Sequence, residues 1–360
     1  MVGIKVENIL ITGASGFIGN ALCRRLASGN KVIGVDIADV TPSEALNNAW
    51  EQADLTDLNS VATICKKYSP DVVIHCAGIA HQKIGAVDSA TYMRVNSEAA
   101  ENIAKAAAKY NPDVSFIFLS SVSVYGEENL SAPVPEESEC SPSSDYAASK
   151  LDAEKRLIAL ADDGIIRNLV ILRLAPVYDR DWSLNLDRRV FTPGKLAYLR
   201  FGSGSQRMSA LARSNLVEFI VHILQSSDLR RLKDNEYGMD SRFRGNDKGG
   251  CGNDASLQKY KQNNRRKLRV FNVCDAEPYE FNTIIEVFKK SGIRPNRPVI
   301  SVPLSFVWFA TRIAGVFFPK KREWIHSCYD KLASDLVFDN GKMMGTGFRP
   351  VHSLETIFLS

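Results

Sequence analysis

The stretch from Ile9 to Gly19 reads ILITGASGFIG, a short apolar run that ends in three glycines spaced by three, Gly13, Gly16 and Gly19. This pattern predicts a strand, a tight turn and a helix that begins near Phe17. Glycines at this spacing let the backbone turn sharply, let a pyrophosphate approach the amides, and let the helix lie against the strand. A glycine-rich turn alone is a weak indication, because any tight strand-to-helix connection favours glycine.

An acid at the end of the next apolar run strengthens this interpretation. The run KVIGV from Lys31 to Val35 is followed directly by Asp36. A carboxylate about 20 residues beyond the glycines can accept hydrogen bonds from an adenosine ribose and would repel a 2′-phosphate. Asp36 therefore favours NAD over NADP, whereas a solvated strand-end aspartate is the alternative for this residue taken alone.

Further apolar runs alternate with helical patterns. Strands are predicted at 71–75, 115–119 and 169–174, with amphipathic stretches between them. This alternation indicates an α/β fold with a doubly wound parallel sheet of the Rossmann type and a smaller C-terminal substrate-binding lobe. The predicted boundaries are an NAD-binding domain at 1–175, completed by about 214–227 and 268–275, and a lobe formed by 176–213 and 276–360.

Composition and size are those of an ordinary globular protein. The chain has 360 residues, 45% hydrophobic and 24% charged, which allows a large core and two lobes. The residues before the first strand lack the pattern of a secretory signal, so we expect the protein in the cytoplasm. The seven cysteines are scattered, with no CxxC pair and no His/Cys cluster, and they predict reduced thiols and no metal site.

The basic excess belongs to one segment. The net charge is +4, but residues 228–269 carry twelve Lys/Arg and six Asp/Glu, which leaves 33 basic and 35 acidic residues elsewhere. We therefore expect no nucleic-acid partner. Residues 228–267 contain few aliphatic side chains and predict a flexible surface insertion, with an RNA-binding tail as the alternative. The piece SRFRGND also resembles translated palindromic repeat DNA.

Hydroxyl groups and a Tyr-Lys pair are the candidates for catalysis. The run SSVSVYG follows the predicted strand at 115–119, and YAASK places Tyr146 and Lys150 four residues apart. Residues four apart lie on one helix face, so the ammonium can approach the phenol and lower its pKa. A lone YxxxK is common by chance. His75 ends an apolar run and is predicted to be a buried structural histidine rather than a catalytic one.

The stretch from Leu304 to Phe318 is strongly apolar. It contains Arg312 and is too short to span a bilayer, so no integral membrane segment is predicted. We expect it to pack in the second lobe. An interfacial contact with a membrane is the alternative, because Lys320, Lys321 and Arg322 follow it.

Together these pieces resemble the extended short-chain dehydrogenase/reductase family, the NAD-dependent nucleotide-sugar epimerases, dehydratases and reductases. The resemblance covers nearly the whole chain apart from 228–267. The motifs occur in the family's order, and their joint order is far more specific than any one of them: TGASGFIG, the acid at Asp36, Asp54-Leu55, HCAG, Asn96, SSVSVYG, YAASK and RLAPVY.

The resemblance implies a bound NAD and a set of site residues. Tyr146 would be the acid/base, Lys150 would contact the nicotinamide ribose and lower the tyrosine pKa, and Ser121 would hydrogen-bond the reacting sugar oxygen. Ser123 is a second hydroxyl facing the same site. The arginine that binds the diphosphate of the nucleotide-sugar substrate would be Arg207 or Arg213. The other cofactor-binding residues that the motifs imply are Gly13, Ser15, Gly16, Phe17, Ile18, Gly19, Asp36, Asp54, Leu55, Cys76, Ala77, Gly78, Asn96, Pro176 and Val177.

The reactions of the family are separated in part by the residues after Ser121. The 4,6-dehydratases place an Asp-Glu pair there, where this chain has Val122 and Ser123, so dehydration is not expected. The spacing of 25 residues from Ser121 to Tyr146 agrees with the 4-epimerases. The resemblance therefore favours epimerisation at C4 of a UDP-linked sugar through a transient 4-keto sugar. Reduction of a 4-keto nucleotide sugar is the alternative, because Ala175 stands where many 4-epimerases carry asparagine.

Two alternatives belong to other classes. A non-catalytic NAD-binding regulator would have no need of Ser121, Tyr146 and Lys150 together, so the intact set argues against it. A decayed gene product is suggested by the foreign-looking segment 228–267.

The expected partners are a UDP-sugar substrate and a second copy of the chain. Relatives commonly dimerise through two long helices, which here would be those of Asn96 to Tyr110 and Tyr146 to Leu160.

Overall fold

The computed structural model describes residues 8–39, 49–80, 86–126, 133–226, 267–318, 329 and 332–360. Residues 228–266 of the predicted insertion lie outside the described residues, and Lys267 already begins a strand.

The strands, in chain order, are β1 (Asn8–Thr12), β2 (Lys31–Asp36), β3 (Ala49–Gln52), β4 (Val72–His75), β5 (Ser115–Ser121), β6 (Asn168–Leu174), β7 (Val177–Tyr178), β8 (Tyr198–Phe201), β9 (Arg207–Met208), β10 (Leu211–Ala212), β11 (Lys267–Val273), β12 (Tyr279–Glu280) and β13 (Val299–Val302). Seven of them form one sheet in the order β11-β6-β5-β4-β1-β2-β3, and every neighbouring pair in it is parallel. The predicted doubly wound parallel sheet is thereby confirmed.

The α-helices are α1 (Phe17–Leu26), α2 (Leu58–Tyr68), α3 (Ser89–Tyr92), α4 (Ala99–Tyr110), α5 (Asp145–Asp162), α6 (Leu184–Val190), α7 (Arg213–Gln225), α8 (Phe281–Lys290), α9 (Leu304–Phe317), α10 (Gly341–Gly345) and α11 (Leu354–Phe358). A π-helix at Met93–Glu98 joins α3 to α4, and short 3-10 helices lie at Val122–Tyr125 and Pro193–Lys195.

Alternate residues of the strands fill two separate layers. In β1, Ile9 and Ile11 join the buried cluster that contains residues of α1 and α7, whereas Leu10 joins the cluster that contains residues of α2, α4 and α5. Successive side chains of a strand point to opposite faces of its sheet, so an unbroken apolar run such as ILI is what a sheet covered on both faces requires.

The chain reverses its direction across the sheet between β1 and β4. From β1 it moves outward to β2 and β3, and it then crosses to β4 on the other side of β1. Ligands of open α/β sheets bind in the crevice at such a switch point, outside the carboxyl ends of the strands. The turns that follow Thr12 and His75 border this crevice.

A third apolar cluster lies outside the sheet and is tied to it by Asp275. This buried carboxylate follows β11 and accepts hydrogen bonds from the Ala212 amide at 2.8 Å, the Asn215 amide group at 2.7 Å and the Tyr178 and Tyr279 hydroxyls at 2.7 and 2.9 Å. Burial raises the pKa of Asp275, and these hydrogen bonds oppose the rise. The third cluster contains residues of β7, α6, α8 and α11.

Helix α9 does not pack in the way the sequence led us to expect. Gly315 is its only buried residue, and most of its large apolar side chains are exposed. A composition that is apolar on all sides predicts burial, but it does not determine what covers the helix. In the described part of the chain, no helix is long and apolar enough to cross a membrane.

A buried ion pair joins α5 to the sheet. Arg173 of β6 donates from Nη2 to Glu154 of α5 at 2.7 Å, and both side chains are less than a tenth exposed. Arg173 also donates to the Tyr125 hydroxyl at 2.9 Å and to the Glu136 carbonyl at 3.0 Å. Ser120 of β5 donates to Glu154 at 2.5 Å. Every charged group of the pair is thus hydrogen-bonded, which offsets the cost of removing it from water.

Removing one partner of this pair should be costly. We expect Arg173→Met to lower the free energy of unfolding by about 3–5 kcal/mol, because it leaves the Glu154 carboxylate buried without its counterion. The double variant Glu154→Gln with Arg173→Met should recover much of this loss. Urea denaturation measures all three free energies.

Arg167 supplies the matched control. It pairs with Asp113, and both side chains are about half exposed. Arg167→Met should therefore cost no more than about 1 kcal/mol. Similar losses for Arg167→Met and Arg173→Met would contradict a special role for the buried pair.

Candidate active site

The glycine-rich turn between β1 and α1 has no room for a side chain at Gly13 or Gly19. Gly13 has a φ of +65°, and a Cβ on it would lie 2.8 Å from the Ala77 backbone nitrogen. A Cβ on Gly19 would lie 2.1 Å from the Gly13 oxygen, so α1 packs directly on the turn. Gly16 caps α1 without any side-chain hydrogen bond. The first amides of α1, from Phe17 onward, therefore keep no side-chain acceptor, which is the arrangement that binds a phosphate group.

Asp36 lies beside this turn. Its Oδ2 accepts hydrogen bonds from the Ser15 amide at 2.9 Å and the Ser15 hydroxyl at 2.7 Å, and its Oδ1 accepts one from the Ala38 amide at 3.2 Å. An ionised carboxylate has about four acceptor positions, so one position is left for a ligand hydroxyl. The structure thus brings together Ser15 and Asp36, which the sequence placed separately.

The residues after β3 lie next to Asp36 in the structure. The Ala53 amide donates to the Asp36 carbonyl at 2.8 Å, which sets Asp54 and Leu55 beyond the end of β2. Asp54 is exposed and its Oδ1 accepts from the Thr56 amide at 2.8 Å, whereas Leu55 is buried in the core.

The end of β4 meets the other side of the turn. The Cys76 amide donates to the Thr12 carbonyl at 3.3 Å, and the Ala77 amide donates to the Thr12 hydroxyl at 3.2 Å. Gly78 has a φ of +158°, and a Cβ on it would lie 2.9 Å from Asn96 Oδ1 and 3.4 Å from Lys150 Nζ. Glycine at this position therefore keeps open the space between the asparagine and the lysine.

Asn96 links the end of β4 to α5. It lies in the π-helix and is fully buried. Its Oδ1 accepts from the Ile79 amide at 2.7 Å, and its Nδ2 donates to the Ile79 carbonyl at 3.1 Å and to the Ser149 hydroxyl at 3.0 Å. All of the side chain's polar groups are thus used to hold the segment after β4 against the helix that carries Tyr146 and Lys150. A π-helical turn is frequent at functional sites.

Lys150 is almost fully buried behind the crevice. Its Nζ donates to the Leu119 carbonyl at 3.0 Å and lies 4.9 Å from the centre of the Phe118 ring. Burial lowers its pKa to about 8. At neutral pH the side chain is still mostly an ammonium group, and one hydrogen bond to Leu119 leaves two of its three N–H groups for a ligand.

Tyr146 and Ser121 lie in contact. Ser121 ends β5, and its hydroxyl accepts hydrogen bonds from the Ser123 amide at 3.2 Å and the Ser123 hydroxyl at 2.9 Å. The proton of Ser121 is therefore free to point at the Tyr146 phenol, and the interaction with Ser121 lowers the pKa of that phenol. Of the candidate residues, Ser121, Ser123 and Tyr146 form one hydroxyl cluster, and Lys150 follows one helical turn after Tyr146.

The expected lowering of the Tyr146 pKa is not found in this structure. Burial raises the pKa of Tyr146, and the hydrogen bond with Ser121 opposes the rise only in part. The physical reason is that the phenolate loses its hydration, while Lys150 directs one of its donors at the Leu119 carbonyl.

The two candidate arginines lie in different places. Arg207 forms an ion pair with Asp335, with two hydrogen bonds at 2.8 and 2.9 Å, and its side chain is half exposed. Arg213 pairs with Asp179, donates to the Phe17 carbonyl at 3.1 Å and lies 4.4 Å from the centre of the Phe17 ring. Only Arg213 of these two reaches the first turn of α1, beside the glycine-rich turn.

Short strands hold Arg213 in this position. The Leu211 amide donates to the Pro176 carbonyl at 3.0 Å, and β10 pairs with β7, in which Val177 lies opposite Leu211. Pro176 and Val177 therefore follow β6 at the carboxyl edge of the sheet and carry Arg213 towards α1.

His75 lies inside the sheet layer and not in the crevice. It is fully buried, its Nδ1 lies 2.9 Å from the Thr12 hydroxyl, and its ring stacks between Phe116 and Phe118. Burial lowers its pKa to about 3, so it is neutral at physiological pH. This agrees with the prediction of a structural histidine.

Two residues that support the site were missed from the sequence. Glu154 lies one helical turn beyond Lys150, and Arg173 lies within the apolar run LVILRL. A glutamate four residues after the lysine, together with an arginine inside a buried strand, was a signal for this ion pair. The sequence alone does not show that the two charges meet, because they lie on different elements.

The comparison with known proteins agrees with this arrangement. The model of the NAD dependent epimerase/dehydratase family matches residues 9–234. The UDP-glucose 4-epimerase of Vibrio cholerae is 32% identical over 219 residues, which cover 60% of this chain and 66% of that protein. The dTDP-glucose 4,6-dehydratase of Haemophilus influenzae is 33% identical over 162 residues, which cover 40% of this chain and 48% of that protein. This chain thus spans about two thirds and about half of the lengths of these two relatives.

A solved structure shares the whole fold. The UDP-glucose 4-epimerase of Thermotoga maritima, solved with UDP-glucose, superposes with a TM-score of 0.66 at 21% identity and covers 98% of this chain and 96% of that one. The likeness at this identity concerns the fold, whereas the family model matches residues 9–234, which is well over half of this chain. The chain therefore belongs to the NAD dependent epimerase/dehydratase family.

Proposed function

We propose that this chain catalyses NAD-dependent epimerisation at C4 of a UDP-linked sugar through a transient 4-keto sugar. The observation that carries the proposal is the convergence of Ser121, Tyr146 and Lys150 at the carboxyl end of β5, beside the space that Gly78 leaves open. The substrate class is supported by the name of the Vibrio relative and by the UDP-glucose in the Thermotoga structure.

The residues of the crevice fit a dinucleotide. The close packing at Gly13 and Gly19 leaves the amides at the start of α1 open to a pyrophosphate, and Asp36 has an acceptor position left for a ribose hydroxyl. Lys150 has two N–H groups for the second ribose. When bound there, NAD would supply the hydride acceptor and donor that the epimerisation needs.

The hydroxyl cluster of Ser121, Ser123 and Tyr146 is the part of the site that can transfer protons. We assign to Tyr146 the removal of the proton from the sugar C4 hydroxyl and its return to the 4-keto oxygen, because a phenol at this position can serve as both base and acid. Burial raises the pKa of the Tyr146 phenol, so the phenol is protonated in this structure and can donate its proton to the 4-keto oxygen. Ser121 orients the sugar oxygen towards the phenol, and Ser123 fixes the Ser121 hydroxyl through the two hydrogen bonds that it donates.

Arg213 is the better candidate for a diphosphate group. Its position over Phe17 places a guanidinium beside the N-terminus of α1, where positive charge and free amides favour an anion. Both arginines are ion-paired, Arg207 with Asp335 and Arg213 with Asp179, so it is the place of Arg213 beside α1 that favours it. We also propose that the third apolar cluster is the core of the predicted substrate-binding lobe and that residues 176–213 and 276–360 form this lobe.

The central test is the variant Tyr146→Phe. Wild type should interconvert UDP-GlcNAc and UDP-GalNAc or another pair of UDP-sugars that differ at C4, and Tyr146→Phe should be slower by roughly a hundredfold to ten-thousandfold, because it lacks the acid/base. Chromatography of the sugar nucleotides measures the conversion. Tyr110→Phe, a partly buried tyrosine at the end of α4, is the matched control and should retain activity.

The result that would contradict the proposal is a wild type as inert as Tyr146→Phe with every 4-hydroxy and 4-keto UDP-sugar tried. Reduction of a 4-keto nucleotide sugar is the second candidate, because Ala175 replaces the asparagine of many 4-epimerases. Tightly retained, oxidised NAD in the purified protein supports the epimerase, and exchangeable NADPH supports the reductase.

The protonation of Lys150 can be followed without substrate. Its pKa is lowered from 10.5 to about 8 in the folded chain, so the unfolded chain binds more protons between these two values. The stability contributed by this residue should therefore rise with pH between about 8 and 10.5, and burial of its charge should cost most below pH 8. Against Lys150→Met, the free energy of unfolding of wild type should gain about 3 kcal/mol across this window.

Urea denaturation at fixed pH values measures this gain. Lys155→Met, an exposed lysine on the same helix, should leave the pH dependence of wild type unchanged. If the difference in free energy of unfolding between wild type and Lys150→Met stays constant with pH, the pKa of Lys150 is not lowered in the folded chain and this prediction is wrong.

We further propose that the chain forms a homodimer through α4 and α5. These helices are joined by the ion pair of Arg156 with Glu101 at 2.7 Å, so they present one continuous surface. A surface of two adjacent helices can pair with its own copy about a two-fold axis. Sedimentation at micromolar concentration should give a dimer, and a monomer would overturn this part of the proposal.

A further inference from the structure

The surface between residues 299 and 318 is far more apolar than the rest of the described chain. Seventeen large apolar side chains are exposed in the described residues, and nine of them fall in this short segment. They are Val299, Ile300, Phe306, Trp308, Phe309, Ile313, Val316, Phe317 and Phe318. Exposed apolar patches of this size mark interaction sites, because a monomer in water gains nothing from them.

The exposed side chains of α9 form one face. At about 100° per residue, five of them fall within one side of the helix: Phe306, Phe309, Ile313, Val316 and Phe317. We call this side the α9 apolar face. The buried Gly315 lies on the opposite side, together with Leu304, whose side chain would be 3.0 Å from a Cβ on Gly202. The helix therefore rests on the protein through small and aliphatic residues and presents its three phenylalanine rings outward.

The sequence around this face is entirely basic in its charges. Residues 287–322 contain eight Lys/Arg and no Asp/Glu. Lys290 and Arg294 are paired with Glu286 and Asp187, at 3.6 and 3.5 Å. Arg297 and Arg312 are exposed, and the Arg312 guanidinium lies 5.4 Å from the centre of the Trp308 ring. An apolar helical face flanked by arginine and tryptophan, without acidic residues, has the chemistry of a surface that binds anionic lipid.

We propose that the α9 apolar face docks this protein onto the surface of an anionic lipid bilayer. The helix lies in the plane of the interface, with the rings of Phe306, Phe309 and Phe317 among the acyl chains and Arg312 at the headgroups. The helix has 14 residues, which is too short to cross a bilayer. This inference goes beyond the proposed function and does not depend on it.

A second copy of the chain is a poorer occupant of the same face. A symmetric dimer through α9 would bring each basic segment against its own copy, because a two-fold interface contacts itself. The like charges of Arg297 and Arg312 would then repel one another at low ionic strength. An anionic bilayer would bury the apolar rings in its acyl region and attract the basic side chains to its headgroups.

Vesicle flotation with the full chain tests the proposal. We expect wild type to float with vesicles that contain phosphatidylglycerol and phosphatidylcholine, and to bind much less to vesicles of phosphatidylcholine alone. Added salt should weaken binding to the anionic vesicles, because charges at a surface are screened. The variant Phe309→Ser with Phe317→Ser should lower the partition coefficient at least about tenfold, because two buried rings are lost. Arg312→Gln should lower it roughly fivefold.

Two exposed apolar residues elsewhere provide the matched control. Leu196 and Val351 are both 72% exposed and lie outside the segment, so Leu196→Ser with Val351→Ser should bind as wild type does. All variants should keep the thermal unfolding midpoint of wild type, because the changed side chains are exposed.

Three results would overturn the proposal. The first is that wild type does not float with anionic vesicles. The second is that the α9 variant and the control variant bind equally well. The third is that wild type self-associates without lipid, and that the variant Phe309→Ser with Phe317→Ser does not. The last result would assign the face to a second copy. Assays with UDP-sugars in the absence of lipid test only the active site. A failure of the lipid proposal can therefore be distinguished from a failure of the proposed function.

Discussion

The buried ion pair of Glu154 with Arg173 is the interaction on which the geometry of the site depends. It fixes α5 against β5 and β6 at one rotation, because Glu154 also accepts from Ser120. Lys150 lies one helical turn earlier on the same side of α5 and meets the Leu119 carbonyl. A helix turned about its axis would break both contacts. The positions of Tyr146 and Lys150 are therefore held by groups that do not touch the crevice.

Around this fixed helix, the turns that follow the parallel strands converge. The glycine turn after β1 packs against Ala77 after β4, and Asn96 joins the segment after β4 to Ser149 of α5. Both contacts involve either backbone atoms or an amide side chain whose hydrogen bonds are all made. Moving one of these turns would therefore also move its neighbour. The crevice at the switch point of the sheet thus has the uncapped amides of α1 at one end and the Tyr146 phenol at the other.

The features of the fold that follow from local sequence patterns could be predicted from the sequence. The parallel sheet, the close turn at Gly13 and the one-face spacing of Tyr146 and Lys150 are encoded by periodicity, by glycine and by the pitch of a helix. The choice of Arg213 at the turn, the ion pair at Glu154 and the exposed face of α9 depend on contacts between distant residues. The direction of the Tyr146 pKa was missed for the same reason, because burial is a property of the folded chain.

In the proposed epimerisation, hydrogen leaves C4 of the sugar and returns to C4 within one site. It is tested most directly with a UDP-sugar that carries deuterium at C4, incubated with the purified enzyme and followed by NMR and mass spectrometry of both epimers. We expect the label to stay at C4 in the product, because the same hydride goes back to the other face of the 4-keto sugar. Replacement of the label by solvent hydrogen, or no conversion at all, would contradict it.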